Sequence, residues 1–217
     1  MRLIDLSHEV VAGMTTYPGL PGPVISDFLS RPGSRGHYAN GTEFQIGRID
    51  MVANTGTYVD SPFHRYENGA DLSGLRLESI AGLEGLVVRI PEGVTEIGPE
   101  RLGDCDVRGR AVLFATGWSR HWGSEAYFSG HPFLTAGTAG ELIARGAALV
   151  GIDSLNIDGT SGGERPVHTL LLAAGIPIVE HLTSLAALPD DGFRFFAVPP
   201  KVRGMGTFPV RAFAVTD

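Results

Sequence analysis

The sequence predicts a single α/β domain, and three observations carry that prediction. The chain has 217 residues, of which 43% are hydrophobic and 19% charged. That is long enough for one substantial core and ordinary for a globular protein. Short apolar runs recur between glycines and prolines: GLVVRI at 85–90, AVLFAT at 111–116, ALVGI at 148–152, IPIV at 176–179, FRFFAV at 193–198 and VRAFAV at 210–215. Runs of this length and composition read as buried strands. Between 111 and 180 such runs alternate with helix-like segments, which implies parallel pairing.

In chain order, MRLIDLSHEV has no long apolar stretch and carries Asp5, His8 and Glu9, unlike a secretory leader. Residues 12–41 are rich in Gly, Pro and Ser and read as a loop or arm. Residues 43–52 partly alternate and are expected to form a strand leading into 54–64. Residues 135–145 read as a helix with Thr135 as N-cap and Gly146 just beyond its end, with Leu142 and Ile143 facing the sheet. Residues 184–188 form a shorter helical turn stopped by Pro189. The 30 glycines and 14 prolines, spread throughout, favour many short elements over a helical bundle. The strand order does not follow from the pattern.

Several functions are disfavoured. A formal net charge of -7 argues against general nucleic-acid binding, which needs clustered Lys and Arg. The single cysteine, Cys105, excludes an internal disulfide and suits a reducing compartment. No stretch approaches the roughly 18 apolar residues of a membrane span. The expectation is a cytoplasmic protein acting on a small molecule, without nucleic-acid or membrane partners.

The chemistry concentrates in NTGTYVDSPFH, residues 54–64. Gly56 frees the backbone and Pro62 fixes it. Asp60 and His64, four apart across the proline, are expected on a turn that points both inward. A carboxylate beside an imidazole orients the ring and raises its basicity. The same spacing also fits a polar loop with an exposed Asp and His. Further on, His168 precedes an apolar stretch, and Glu180 closes the run IPIV, where α/β sheets often carry functional groups. The alternative is a cap histidine and a surface glutamate. Asp153 and Asp158 in GIDSLNID either bind loop amides and support a site or simply make a turn. Trp118, at a strand end, either walls a pocket for a planar ligand or is a core residue. His131 and His181 read as structural.

These pieces, in order, resemble the cyclase family of metal-dependent hydrolases, the family of bacterial kynurenine formamidase and isatin hydrolase. The stretches are IDLSHEVVAGMTTYPG at 4–19, the 54–64 motif, ATGW at 115–118, HPFLT at 131–135, LVGIDSLNID at 149–158, residues 168–180, and VPPKVRGMGTFPVRAFAV at the end. The resemblance implies a mixed or barrel-like sheet with flanking helices over 1–217. It also implies a homo-oligomer, a homodimer or homotetramer, in which segments such as that through Tyr17 pack near subunit interfaces and help wall the pocket. The family hallmark is His-x-Gly-Thr-His-x-Asp-x-Pro-x-His, so Asn54 and Tyr58 stand where the family has two metal-binding histidines. Asp60, His168 and Glu180 match further metal ligands, and His64 matches the acid/base. An Asn carbonyl is a weak ligand, and a phenol must lose a proton with a pKa of about 10 before it binds well. The resemblance therefore implies at most one divalent ion, zinc or manganese, on Asp60, His168 and Glu180. Asn54, Tyr58, Tyr17 and Trp118 are then expected to bind substrate. The leading reading is a hydrolase of a small cyclic or aryl amide or ester, with His64 as acid/base. Two others stand beside it: a metal-free cyclase or dehydratase using His64, Asp60 and Tyr58, and a silent ligand-binding homologue.

Overall fold

The computed structural model describes residues 1–216. Its strands are β1 (Arg2–Asp5), β2 (Val24–Leu29), β3 (Ile46–Asp50), β4 (Tyr58–Asp60), β5 (Ala81–Arg89), β6 (Glu96–Ile97), β7 (Ala111–Ala115), β8 (Phe133–Leu134), β9 (Leu149–Ile152), β10 (Ile178–Glu180), β11 (Phe193–Phe196), β12 (Thr207–Pro209) and β13 (Phe213–Thr216). The helices are α1 (Arg31–Ser34), α2 (Ala136–Ala144) and α3 (Pro166–Ala173). A nine-stranded mixed sheet runs β1-β13-β11-β5-β7-β9-β10-β4-β12. Its centre, β5-β7-β9-β10, is parallel, as the strand–helix alternation predicts, and antiparallel strands flank it on both sides.

Side-chain alternation divides the core by this sheet. On β7, Ala111 and Leu113 join Leu83, Val87, Val179 and Phe195 on one face. Val112 and Phe114 join Val88, Val150, Ile178 and the helices on the other. The sheet curls, because the chain beyond β1 meets the chain beyond β10. Ser7 bridges Leu182, and the Thr183 amide donates to the Leu6 carbonyl at 3.0 Å. Helix α2 begins where the sequence places it, with Thr135 Oγ1 accepting from the Thr138 amide at 3.3 Å. Leu142 is fully buried and Ile143 partly so. Burying one leucine is worth about 1.5–3 kcal/mol, so this single face holds α2 to the sheet.

Two expectations are corrected. Residues 12–41 are not all loop, since they contain β2 and α1. The strand expected over 43–52 does not enter the main sheet. Its central part, β3, pairs antiparallel with β2 in a separate two-stranded ribbon. The Gly/Pro bias on either side of VISDFL hides a strand that only pairing makes stable.

Buried imidazoles give the fold an acid limit. His131 is 3% exposed, its Nδ1 has no partner among the described residues, and burial pulls its pKa down to about 4. In the unfolded chain a histidine titrates near 6.5, so between about 6.5 and 4 the unfolded state binds the extra proton. The contribution is intact above the unfolded pKa and is lost as pH falls toward the folded one. His8 and His181 shift in the same direction. The melting temperature is expected to fall as pH drops from 6.5 to 4, and His131→Asn to flatten that slope in a series of thermal melts.

Candidate active site

The site forms where β4 lies between β10 and β12. Antiparallel register sets Glu180 opposite Tyr58, and both Ile178 and Thr207 opposite Asp60. Two functional contacts follow from this register. The Tyr58 hydroxyl donates to Glu180 Oε2 at 2.6 Å, and the Thr207 hydroxyl donates to Asp60 Oδ1. Asp60 therefore ends a strand, where the sequence suggests a turn. Only His64 lies on a turn, the single 3₁₀ turn Pro62–His64.

Glycines permit this packing at two points. Gly56 enters β4 with φ +66, and its amide donates to Thr16 Oγ1 at 2.8 Å. At Gly206 an added Cβ would lie 2.4 Å from the His64 amide nitrogen, so only glycine lets β12 run this close beneath the turn.

The hydrogen bonds fix the ring states. Thr207 has one proton and gives it to Asp60, so His64 Nδ1, 2.7 Å from Thr207 Oγ1, is the donor of that contact. The other nitrogen of a neutral His64, Nε2, is then a free base. His64 is the exposed member, with its side chain 36% accessible against 0% for Asp60. His168 is set by Asp158, whose carboxylate accepts from the Val167 amide at 2.8 Å, the His168 amide at 3.0 Å and His168 Nδ1 at 2.7 Å. One aspartate thus caps α3 and turns His168 Nε2 toward Asp60 Oδ2 and Glu180 Oε1, each 3.6 Å away.

The charges are unequal. Burial would raise the Asp60 pKa, but His168, His64 and the Thr207 hydroxyl hold it below the usual carboxylate range. Burial pushes Glu180 upward and the Asp60 charge adds to this, against the pull of His168. Burial would lower His168, but Glu180, Asp158 and Asp60 together push it up to about 10. A positive charge is therefore favoured at His168 Nε2, carried by a proton or by a cation in its place. Asp60 Oδ2 is buried and has no hydrogen-bond partner among the described residues. One atom each from Asp60, His64 and His168 lies within 4.8 Å of the others. A carboxylate with an unused lone pair beside two imidazoles suits a divalent ion.

Glu180, expected as a ligand, also accepts two hydrogen bonds. Its Oε1 accepts from the Ile157 amide at 2.6 Å and its Oε2 from Tyr58. Behind it, His181 Nε2 lies 3.3 Å from the Tyr58 oxygen, and Tyr127 lies 2.9 Å from His181 Nδ1. With the Tyr58 proton on Glu180, His181 Nε2 donates and its Nδ1 accepts from Tyr127. Burial and the carboxylates of Glu180 and Asp60 push the Tyr58 pKa well above 10, which makes it a poor proton donor.

A cavity of about 1020 Å³ opens over this constellation. Tyr17, Asn54, Tyr58, His64, His168 and Glu180 all line it, so most of the expected site residues converge. Trp118 does not. Its indole Nε1 donates to the Tyr127 carbonyl at 3.0 Å, on a turn outside the cavity lining. Asp153 is likewise structural, clamping the amides of Thr116 and Gly117. Sequence reasoning missed Thr207, Asn156, Arg65 and Arg165. Of these, Thr207 carries no local signal, because its partner lies 147 residues away.

Comparison with known proteins bears on the family and the fold. A family model described as "Putative cyclase" matches residues 4–159. Kynurenine formamidase of Salinibacter ruber is 29% identical over 213 residues, covering 98% of this chain and 96% of its own. The kynurenine formamidase of Bacillus cytotoxicus is 28% identical, covering 96% and 95%. Among solved structures, isatin hydrolase A from Labrenzia aggregata superposes with a TM-score of 0.84 at 22% identity, covering 99% of this chain and 93% of that one. That similarity is one of fold. A potential metal-dependent hydrolase with cyclase activity reaches 0.80 at 26% identity, covering 98% and 96%. With a family model matching residues 4–159 and kynurenine formamidases similar over nearly the whole chain, the chain is an enzyme of the cyclase family of hydrolases.

Proposed function

We propose that the enzyme hydrolyses small aryl amides, with His64 as acid/base beside a single divalent ion, zinc or manganese, held by Asp60 and His168. The observation that carries this reading is the pair formed by the orphaned Asp60 Oδ2 and the free Nε2 of His64. A bound ion would polarise the scissile carbonyl and lower the pKa of water at the site. His64 Nε2 takes the proton of the attacking water while its Nδ1–H is held by Thr207, and later delivers that proton to the leaving nitrogen. Water adds to the carbonyl carbon, the C–N bond breaks, and an acid and an arylamine leave. Asp60 keeps its charge and Thr207 keeps the ring oriented. Asn54, Tyr58 and Tyr17 wall the cavity around the substrate. The names of the relatives support the substrate class, kynurenine formamidase above all.

The second copy expected from the sequence also has a surface suited to it. The ribbon β2–β3 exposes Phe28 at 75% and Val24 at 61%, with Ile25, Ile46, Ile49 and neighbouring Phe44 also open. An apolar, two-stranded edge of this kind is one that proteins usually cover. We propose that another protomer covers it.

Formanilide turnover should rise when zinc or manganese is added to chelated enzyme. His64→Gln should cost about 10²- to 10⁴-fold in kcat while metal content, measured by elemental analysis, stays unchanged. Loss of the metal along with the activity would instead make His64 a ligand. No rate gain from either ion would sink the metal reading.

Asp158→Asn should weaken metal affinity by about 10- to 100-fold, because it releases the His168 ring. Titration calorimetry on the folded variant is the check. Light scattering should give at least a dimer mass, and a monomer for the unmodified chain would refute the proposed assembly.

A further inference from the structure

One side-chain amide on the cavity wall keeps its donors unspent. Asn156 is only 7% exposed, and it lines the cavity beside Tyr58, His64, His168 and Glu180. Its Oδ1 accepts from the Asp158 amide at 2.9 Å. That bond settles which way the group points, because a flipped amide would set Nδ2 against another N–H. Nδ2 has no acceptor among the described residues, yet it is not one of the side-chain atoms sealed from solvent without a partner. It therefore opens onto the cavity. An amide NH2 has no lone pair to offer a metal, so this group can act there only as a donor.

The loop after β9 holds this amide in place from both sides. Before it, Ser154 Oγ lies 2.7 Å from the Pro132 carbonyl and 3.3 Å from the Asn156 carbonyl. After it, the Ile157 amide donates to Glu180 Oε1 at 2.6 Å. Next along, Asp158 accepts from His168 Nδ1 at 2.7 Å. Asn156 thus sits one residue from the group that fixes Glu180 and two from the group that turns His168. A donor this constrained costs no reorganisation when charge develops on a bound ligand. The other polar groups of the site are already committed. The Tyr58 hydroxyl gives its proton to Glu180, and the Nε2 of His64 is needed as a base. Asp60 and Glu180 can only accept while charged. Asn54, the other amide on the cavity wall, is half-buried.

We propose that Asn156 Nδ2 donates to the carbonyl oxygen of the substrate amide and holds that oxygen as it becomes an oxyanion, which makes Asn156 a catalytic residue. This inference rests on the amide-hydrolase reading. When water adds to the carbonyl carbon, its proton passes to His64 Nε2 and the π pair of the C=O bond moves onto oxygen. The Asn156 donor meets the larger charge without moving, and the hydrogen bond strengthens. When the C–N bond breaks, the pair returns to form the carbonyl, and the leaving nitrogen takes the proton from His64. Asn156 itself gives up no proton at any stage. Oxygen accepts such a bond well and sulfur only weakly. Asn156 should therefore matter for an amide and much less for the corresponding thioamide.

The test has a kinetic arm and a binding arm. In the first, formanilide and thioformanilide are compared on the unmodified enzyme, Asn156→Asp and Asn156→Ala. Asn156→Asp keeps an oxygen for the Asp158 amide and removes the donor, whereas Asn156→Ala removes the donor without adding a charge. Each should lower kcat for formanilide by about 10²- to 10³-fold, and for thioformanilide by less than about 10-fold. Thermal melts and metal content by elemental analysis should match those of the unmodified enzyme. An equal loss on both substrates would make Asn156 merely structural and overturn the proposal, with the hydrolase reading intact. Unchanged formanilide turnover in both variants would overturn it as well. In the second arm, benzamide and thiobenzamide are titrated by calorimetry, which needs no turnover. Asn156→Ala should weaken benzamide binding by about 5-fold and leave thiobenzamide nearly unaffected. If that holds while no anilide is cleaved, the donor site stands and the hydrolase reading alone fails. If no anilide is cleaved and benzamide either does not bind or loses no more than thiobenzamide, both fail.

Discussion

A carboxylate without access to water sets the terms for the rest of this protein. Asp60 is wholly buried, yet its surroundings hold it charged. An unpaired buried charge is among the costliest things a fold can contain. Here it is met by His168, by the Thr207 hydroxyl and, through that hydroxyl, by His64. Removing one partner of such a group typically costs about 3–5 kcal/mol, against about 5–15 kcal/mol for the whole stability of a domain. The site and the fold are thus coupled. β12 must lie beside β4 to bring Thr207, and α3 must begin at Pro166 to bring His168. Of the two groups that contact the carboxylate's surroundings from outside, Asp158 and His64 can change with less risk to the core than Asp60 itself.

The same arrangement separates two acids that are near neighbours. Glu180 and Asp60 project from adjacent strands, and both face His168 Nε2 at 3.6 Å. Asp60 is held by cations and a hydroxyl, whereas Glu180 is held by the Tyr58 hydroxyl and the Ile157 amide. Charge accumulates on Asp60 in consequence, and Glu180 holds a proton more readily. Tyr58 contributes by occupying Glu180. His181 and Tyr127 hold Tyr58 in turn, and all three side chains are buried. An asymmetric pair of this kind has one acceptor open to a cation, and one is what the chemistry proposed here requires.

Much of this was legible in the sequence, and the failures have physical causes. The runs at 85–90, 111–116 and 148–152 became β5, β7 and β9, because strands buried on both faces must be continuously apolar. Thr135 capped α2 as its side chain predicts. β4 escaped notice because YVD is short and polar at both ends, and a strand with a buried carboxylate defies hydrophobic patterning. β2 was hidden by the glycines and prolines around it. Of the residues that the motif and the resemblance single out, Tyr17, Asn54, Tyr58, His64, His168 and Glu180 line one cavity, and Asp60 lies buried beneath it. Trp118 does not join them, because a strand-end position does not say which way an indole turns. Thr207 could not be found at all: strand register is a property of pairing, and nothing near GTFP marks its partner as Asp60.

The division between buried and exposed histidine also explains why the motif spends a proline and a close glycine contact on one turn. His168 is held at Nδ1 by Asp158 and turns its Nε2 to the carboxylates of Asp60 and Glu180, which fixes it as a ligand and not as a shuttle. A group fixed in one state cannot move protons during turnover. His64 is the one ring of the cluster with solvent access, and its Nδ1 is tied down while its Nε2 is not. Pro62 and the approach of Gly206 hold that turn against β12, which keeps His64 on the Thr207 hydroxyl without burying it. A rigid buried carboxylate and a solvent-facing imidazole are in this way carried by paired elements, and the five residues from Asp60 to His64 link the two.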